Sequence, residues 1–292
     1  MDHYKAILFI LGGLIIFDLV YLFFSGPISA GEYIFFKGRL LTDSCNKNLI
    51  DDTIKLNTEA VLYYKFNNQE EFGESKEIVC DFSGKGNDGY VYGANWNSTE
   101  GKYQDGGFEF SNGDYIMVPD NIQLSPTNTG EMSVSFWVKF EDFNFPGEAE
   151  GYVHYLGKGN WEQGYEWMFR EYNQSNIQGR SKRLSFYTFN SSGGQGVGSF
   201  SQEDIMLGEW IHLVGVMNGT DTQLWKNGQL VDVDGYERII FPEHGRAPLF
   251  IGTTDGSSYL NGSIDELRIY NRKLDRNEIK SLYELIPKKI IK

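Results

Sequence analysis

Apolar residues follow two different patterns along this chain. Residues 6–24 form a nineteen-residue apolar run broken only by the ionisable Asp18. As a helix, such a run spans about 28 Å, close to the thickness of a bilayer core. From Thr58 onward the apolar runs are short and strand-like, at 60–66, 114–118, 132–140, 183–189, 210–217, 223–226, 229–233, 248–252 and 267–270. Gly, Asn and Asp clusters separate them, which predicts strands joined by tight turns and, over this length, a sandwich or barrel.

Two segments predict local geometry. Asn227-Gly228 lies between the strand-like runs of 222–231 and accepts the positive φ angles of a type I′ hairpin turn. Near the end, Asp275 is followed three residues later by Glu278, and Ile279, Leu282, Tyr283 and Ile286 fall on one helical face before Pro287. A capped terminal helix is expected to pack on the strands. Along 133–140, alternation places Val134, Phe136, Val138 and Phe140 on a core face, and Ser133, Ser135, Trp137 and Lys139 on the other. Trp137 then supports an overlying segment or lines a groove. Both faces of 210–216 are largely apolar, so His212 reads as a packed, hydrogen-bonded histidine. Trp96 and Trp225 read as packing residues.

These patterns divide the chain into a short tail (1–5), a transmembrane anchor or cleaved signal segment (6–24), a stalk (25–57) without sustained period, one large domain (58–286) and a basic tail (287–292). Ile28-Ser29-Ala30 offers a small-residue cleavage site, but the apolar run exceeds what a signal peptide needs, which favours a retained anchor. Flanking charges, Lys5 on one side and Lys37 with Arg39 on the other, do not favour export of the domain. Five N-x-S/T sequons, at Asn97, Asn173, Asn190, Asn218 and Asn261, do favour it, where composition alone gives about two. Cys45 and Cys80 both follow the apolar run and are either a disulfide or two separate thiols.

The chain has 40 acidic against 26 basic side chains, a net charge of −14, which argues against nucleic acid as a partner. Thirty-four Gly with 21 Phe and 18 Tyr agree with many strands and turns, and two Cys exclude a Cys-rich zinc domain.

The order of short signatures resembles a laminin G-like jelly-roll domain. Leu62-Tyr63-Tyr64-Lys65-Phe66, Asp81-Phe82-Ser83-Gly84-Lys85-Gly86-Asn87-Asp88-Gly89, and Gly106-Gly107-Phe108-Glu109-Phe110 with 114–119 are similar to its opening. Residues 132–139, 209–214, 224–228, 249–252 and 261–271 follow in that family's order, with a closing helix after them. The resemblance spans about 58–286 and implies an all-β, concanavalin A-like sandwich of two antiparallel sheets with a short C-terminal helix; the apolar run 6–24 places one N-terminal transmembrane helix ahead of it. The fold hosts sugar binding, protein binding and glucan hydrolysis alike.

The loop 81–89 gathers carboxylates, an amide and three glycines, a donor set suited to a hard cation. The resemblance implies a structural Ca2+ held by Asp81, Asn87 and Asp265, with Asp88 a further candidate; a turn held by Asx hydrogen bonds is the alternative reading. Four scattered histidines give zinc or copper no support. Glucanases of this fold carry Glu-x-Asp-x-x-Glu on one strand; this sequence lacks it, and neither a nucleophile elbow nor a phosphate loop stands out. Sugar binding needs aromatic platforms beside polar groups, and the segment 157–170 offers Asn160, Trp161, Tyr165 and Trp167. The reading is therefore a membrane-anchored, extracytoplasmic, non-catalytic module for glycans, with a surface protein that binds other proteins as the alternative and a divergent glycosidase behind both. Oligomeric state is not legible.

Overall fold

A computed structural model of the chain describes residues 28–30, 33–36, 39–41, 45–46, 54–143, 151–160, 164–189, 196–236, 244–254, 256 and 258–285. It divides into two compact units, 1–42 and 43–292. In the first, β1 (Ile28–Ala30), β2 (Tyr33–Phe36) and β3 (Arg39–Leu41) form an antiparallel three-stranded sheet. Strands of three or four residues are too short to show a sequence period, so this region read as a featureless stalk. The apolar run 6–24 lies outside the described residues, among which no helix is long and apolar enough to cross a membrane.

The second unit is a sandwich. After the one-turn helix α1 (Lys55–Thr58) come β4 (Leu62–Tyr64), β5 (Ile78–Val79), β6 (Gly89–Tyr92), β7 (Asn95–Asn97), β8 (Gly107–Phe110) and β9 (Tyr115–Val118). Four longer strands follow: β10 (Glu131–Phe140), β11 (Tyr152–Asn160), β12 (Gly164–Tyr172) and β13 (Leu184–Phe189). The chain then runs through β14 (Gly196–Phe200), β15 (Ile211–Asn218), β16 (Asp221–Lys226) and β17 (Gln229–Gly235). It closes with β18 (Leu249–Ile251), β19 (Gly262–Tyr270) and the helix α2 (Arg276–Glu284).

One sheet is ordered β17-β16-β15-β10-β19-β8-β7, with β4 also on β19; the other is β14-β13-β12-β11-β18-β9-β6-β5, and every pairing named is antiparallel. Val134, Phe136, Val138 and Phe140 enter the core between the sheets, as their alternation predicts, and meet Phe169, Phe186, Ile116 and Leu249 from the second sheet. At the predicted hairpin, Asn227 and Gly228 both have positive φ (51° and 75°) and Lys226 pairs with Gln229. Asp275 accepts from the N–H of Asn277 and Glu278, while Glu278 accepts from the Asp275 N–H, closing a capping box at the start of α2.

A second, smaller core lies on the outer face of the first sheet. Ile279 and Leu282 of α2 pack there with Trp225, Val214, Tyr270 and Phe82. Trp137 belongs to this layer: its ring stacks on Tyr283 of α2 at 5.7 Å, so it supports the terminal helix. Cys45 and Cys80 are joined in a disulfide that closes a separation of 35 residues and borders the same cluster.

Candidate functional site

The outer face of the second sheet carries a row of open rings. Phe169 pairs with Phe186 and both point into the core, so their strand neighbours Met168, Arg170, Ser185 and Tyr187 face outward. On the adjoining edge strand, Gly198 stands opposite Tyr187 and Gly196 opposite Phe189. A Cβ at Gly196 would lie 2.7 Å from the Phe189 ring, and one at Gly198 would collide with the Tyr187 ring, so both rings rest on bare backbone. Tyr165 meets Phe189 with centroids 5.3 Å apart, and Tyr187 is 6.1 Å from Phe189. All three are half-buried and keep ring surface open to solvent. Further along the same sheet, Tyr92 stacks on Tyr115 at 4.8 Å and Tyr115 meets Phe250 at 5.8 Å.

Cations are laid against these rings. The Arg170 guanidinium carbon sits 3.4 Å from the Tyr187 centroid and 5.0 Å from that of Tyr152. Arg180 lies 3.9 Å over Phe200, with its Nη1 3.4 Å from the Tyr187 hydroxyl and 3.5 Å from that of Tyr172. Rings that offer a face, beside fixed hydrogen-bond donors, are what recognition of saccharides requires.

Of the residues expected to bind sugar, Tyr165 joins this row. Trp167 does not: it is 0% exposed, packs between the sheets and donates its Nε1–H to the Leu124 carbonyl at 3.0 Å. Trp161 and the Asn160 side chain lie outside the described residues. Tyr187 and Phe189 were missed, although the alternation of Leu184, Phe186 and Thr188 with Ser185, Tyr187 and Phe189 is present in the sequence.

At one end of β11 and β12 a buried charge cluster ties loops to the sheet. Lys158 Nζ, fully buried, lies 2.6 Å from Glu166 Oε1 and 2.8 Å from Asp120 Oδ1, and Gly245 N–H donates to Glu166 Oε1 at 2.8 Å. Burial raises the Glu166 pKa, and the Lys158 charge opposes that rise. His244 Nε2 lies 3.1 Å from the same Asp120 oxygen.

The 81–89 loop is assembled, but around protein donors. Asp81 Oδ1 accepts the N–H of Tyr63 and Ser83, both at 2.9 Å, and Oδ2 accepts the Ser83 hydroxyl at 2.8 Å and the Asn87 N–H at 3.0 Å. Asp88 Oδ1 accepts the Asp81 N–H, and the Asn87 amide donates to the Val61 carbonyl and accepts from Asn121. Asp265 is engaged elsewhere, accepting the N–H of Lys102 at 2.7 Å and of Glu266 at 2.8 Å. Burial, reinforced by the neighbouring Glu266, pushes the Asp265 carboxyl well above the usual range. An Asp81 with both oxygens doubly occupied by protein donors and an Asp265 bonded to the N–H groups of Lys102 and Glu266 do not fit a cation held between them. No group of three or more His, Cys, Asp or Glu with metal-ligating geometry occurs among the described residues.

Three sequon asparagines, Asn97, Asn173 and Asn218, turn their Oδ1 onto the N–H and hydroxyl of Thr99, Ser175 and Thr220 respectively. Asn173 is only 6% exposed. Asn261 lines a cleft of about 340 Å³ with Glu109, Asp114 and Glu141, and Asn190 lies outside the described residues.

Two facing antiparallel sheets, a closing helix and an aromatic outer face define a domain of the concanavalin A-like class. The family model for Laminin_G_3, of the concanavalin A-like lectin/glucanases superfamily, matches residues 110–280, and the chain belongs to that family. Among solved structures, domain 4 of AbnA, a GH43 extracellular arabinanase from Geobacillus stearothermophilus in complex with arabinotriose, is similar at TM-score 0.57 and 19% identity, over 77% of this chain and 98% of that one. The botulinum neurotoxin serotype D binding domain and the binding domain of Paraclostridial Mosquitocidal Protein 1 are each similar at TM-score 0.58 and 17% identity, over 78% of this chain and 52% of theirs. The chain thus spans about half the length of those toxin domains, and the likeness in each case is one of fold. No curated protein matches the sequence.

Proposed function

We propose that this chain is a non-catalytic carbohydrate-binding module, carried outside the cell on its 6–24 segment, that seats saccharide rings on Tyr165 and Phe189, with Tyr187 and the Arg170 guanidinium beside them. The observation that carries this reading is the continuity of the rings of Tyr165, Phe189 and Tyr187, 5.3 and 6.1 Å apart, on a sheet face where two glycines form the floor beneath Phe189 and Tyr187. Such spacing suits successive C–H faces of a short oligosaccharide, while the flanking guanidinium and phenol groups bond its hydroxyls. The arabinotriose complex of the arabinanase domain supports the same use of this fold. Catalysis is not part of the proposal, because hydrolysis requires two carboxyls flanking the bond, and the rings stand beside arginines.

A glycan array probed with the full chain tests this. Binding to at least one saccharide class is expected, with Phe189→Ala lowering affinity about tenfold, or about 1.4 kcal/mol, and leaving the melting temperature within a few degrees. A silent array with folded protein would overturn the reading in favour of a protein ligand.

A further inference from the structure

Arg170 stands apart from most arginines and lysines of the sandwich. Arg268 pairs with Glu266 at 2.6 Å, Arg272 with Glu59 and Glu278, Lys139 with Glu100 and Glu141, and Lys158 with Glu166 and Asp120. In a chain of net charge −14, carboxylates are abundant enough for this to be expected. Arg170 is 9% exposed, and its Nε is buried with no acceptor. Among the described residues no carboxylate pairs with Arg170, nor with Arg180, Lys182 or Arg183 nearby in the chain, and the Arg183 Nε is likewise buried without an acceptor. The adjacent Glu171 is no counter-ion: it points to the opposite side of β12, both its oxygens lack partners, and burial raises its pKa well above the usual range.

A permanently charged guanidinium that is nine-tenths buried, with no acceptor on its Nε, is costly unless a ligand supplies its donors with a partner. The Tyr187 ring covers its face at 3.4 Å, so the donors left for a ligand are those in the guanidinium plane, which match the two oxygens of a carboxylate. Tyr187 also belongs to the ring row, and Arg180 Nη1 lies 3.4 Å from its hydroxyl, so the cations border the surface on which a sugar would stack.

Building on the glycan reading, we infer that Arg170, assisted by Arg180, is a specificity-determining residue for a carboxylate-bearing sugar, of the uronic or sialic acid class. Affinity for such a sugar comes from ring stacking together with a charge-assisted pair that a neutral sugar lacks.

The test uses the full chain and pairs of probes that differ only in the carboxylate: trigalacturonate against galactotriose, and sialyllactose against lactose, titrated at 0.05 and 0.3 M NaCl. The acidic member of at least one pair is expected to bind at least tenfold more tightly, with the preference shrinking at higher salt. Arg170→Gln should abolish that preference, so that acidic and neutral members of the pair bind alike, and the half-buried Arg180→Gln should reduce it in part. A cooperative thermal transition with unchanged far-UV circular dichroism reports that each variant is folded. Equal binding of acidic and neutral probes overturns this inference and leaves the glycan reading standing. Tighter binding of a sulfated trisaccharide, or of polyglutamate, overturns the sugar-carboxylate assignment. Failure of every saccharide probe overturns both readings.

Discussion

At the scale of single residues, His212 shows how the packing sets chemistry. Its ring is 2% exposed, lies 5.1 Å from Trp137 and 5.9 Å from Tyr283, and bonds the Ser135 hydroxyl through Nε2 at 2.9 Å. Burial above all, with the Arg268 and Lys102 charges adding to it, pushes its pKa from 6.5 down to about 3. A histidine depressed in this way stays neutral when folded but takes up a proton when unfolded. Its contribution is therefore complete above pH 6.5 and is lost as pH falls from there toward 3. Between pH 7.5 and 4.5 the loss is about 2 to 3 kcal/mol. His212→Gln should accordingly close its stability gap to the native chain by that amount over the same interval, as read by urea unfolding at each pH. A gap that does not change with pH would show that the ring titrates normally. The apolar pattern of 210–216 suffices to place this histidine inside, but Ser135 lies 77 residues away and only the pairing of β10 with β15 brings it there.

At the scale of elements, legibility depends on whether an element carries its own signal. The Asn227-Gly228 turn, the alternation of β10 and the capping box of α2 are local, and each was readable from fewer than ten residues. β11 and β12 were not, because Gly157 and Gly159 interrupt the first and the buried Lys158 and Glu166 break apolar alternation in both. Those charges are tolerated only through Asp120 and Gly245, which arrive from distant loops. The pairing also shifts register between Lys158 and Gly159, leaving Glu166 unmatched between Tyr165 and Trp167. That irregularity places Trp167 in the core while Tyr165 meets the outward-facing Phe189, so counting by twos could not sort them. The ring row was hidden for a related reason: its floor is the glycine pair of β14, a strand with no hydrophobic run to announce it. The cap of α2 permits a direct check on the smaller core. Asp275→Ala should cost about 1 kcal/mol and lower the melting temperature by about 2 to 4 °C. Because Tyr283 covers Trp137 and His212, tryptophan fluorescence should shift to the red before global unfolding. An unchanged melting temperature would mean that α2 draws its stability from packing alone.

At the scale of the whole molecule, the acidic excess has to be accommodated, and the sandwich turns protein donors onto its buried carboxylates. Asp81 takes four protein donors, Asp265 two backbone N–H groups, and the nearly buried Glu74 accepts from Gln69 and Cys80, its pKa raised to about 7 by burial. Backbone N–H groups thus stand where the loop composition suggested calcium. An acidic chain gains stability from any added salt through screening of its self-repulsion, so calcium has to be compared with sodium at equal ionic strength. Under that control, chelator or 1 mM CaCl2 should leave the melting temperature within about 1 °C, since a site that does not form cannot contribute binding energy to folding. A saturable, calcium-specific rise would overturn this, because a ligand at a hundredfold its Kd stabilises by about 2.7 kcal/mol, which is several degrees for a domain of this size. In that event the Asp81 hydrogen bonds would have to be exchanged for ligation, and Asp81→Asn, which keeps one acceptor oxygen but removes the charge, would abolish the rise while sparing the ring row at the far edge of the same sheet.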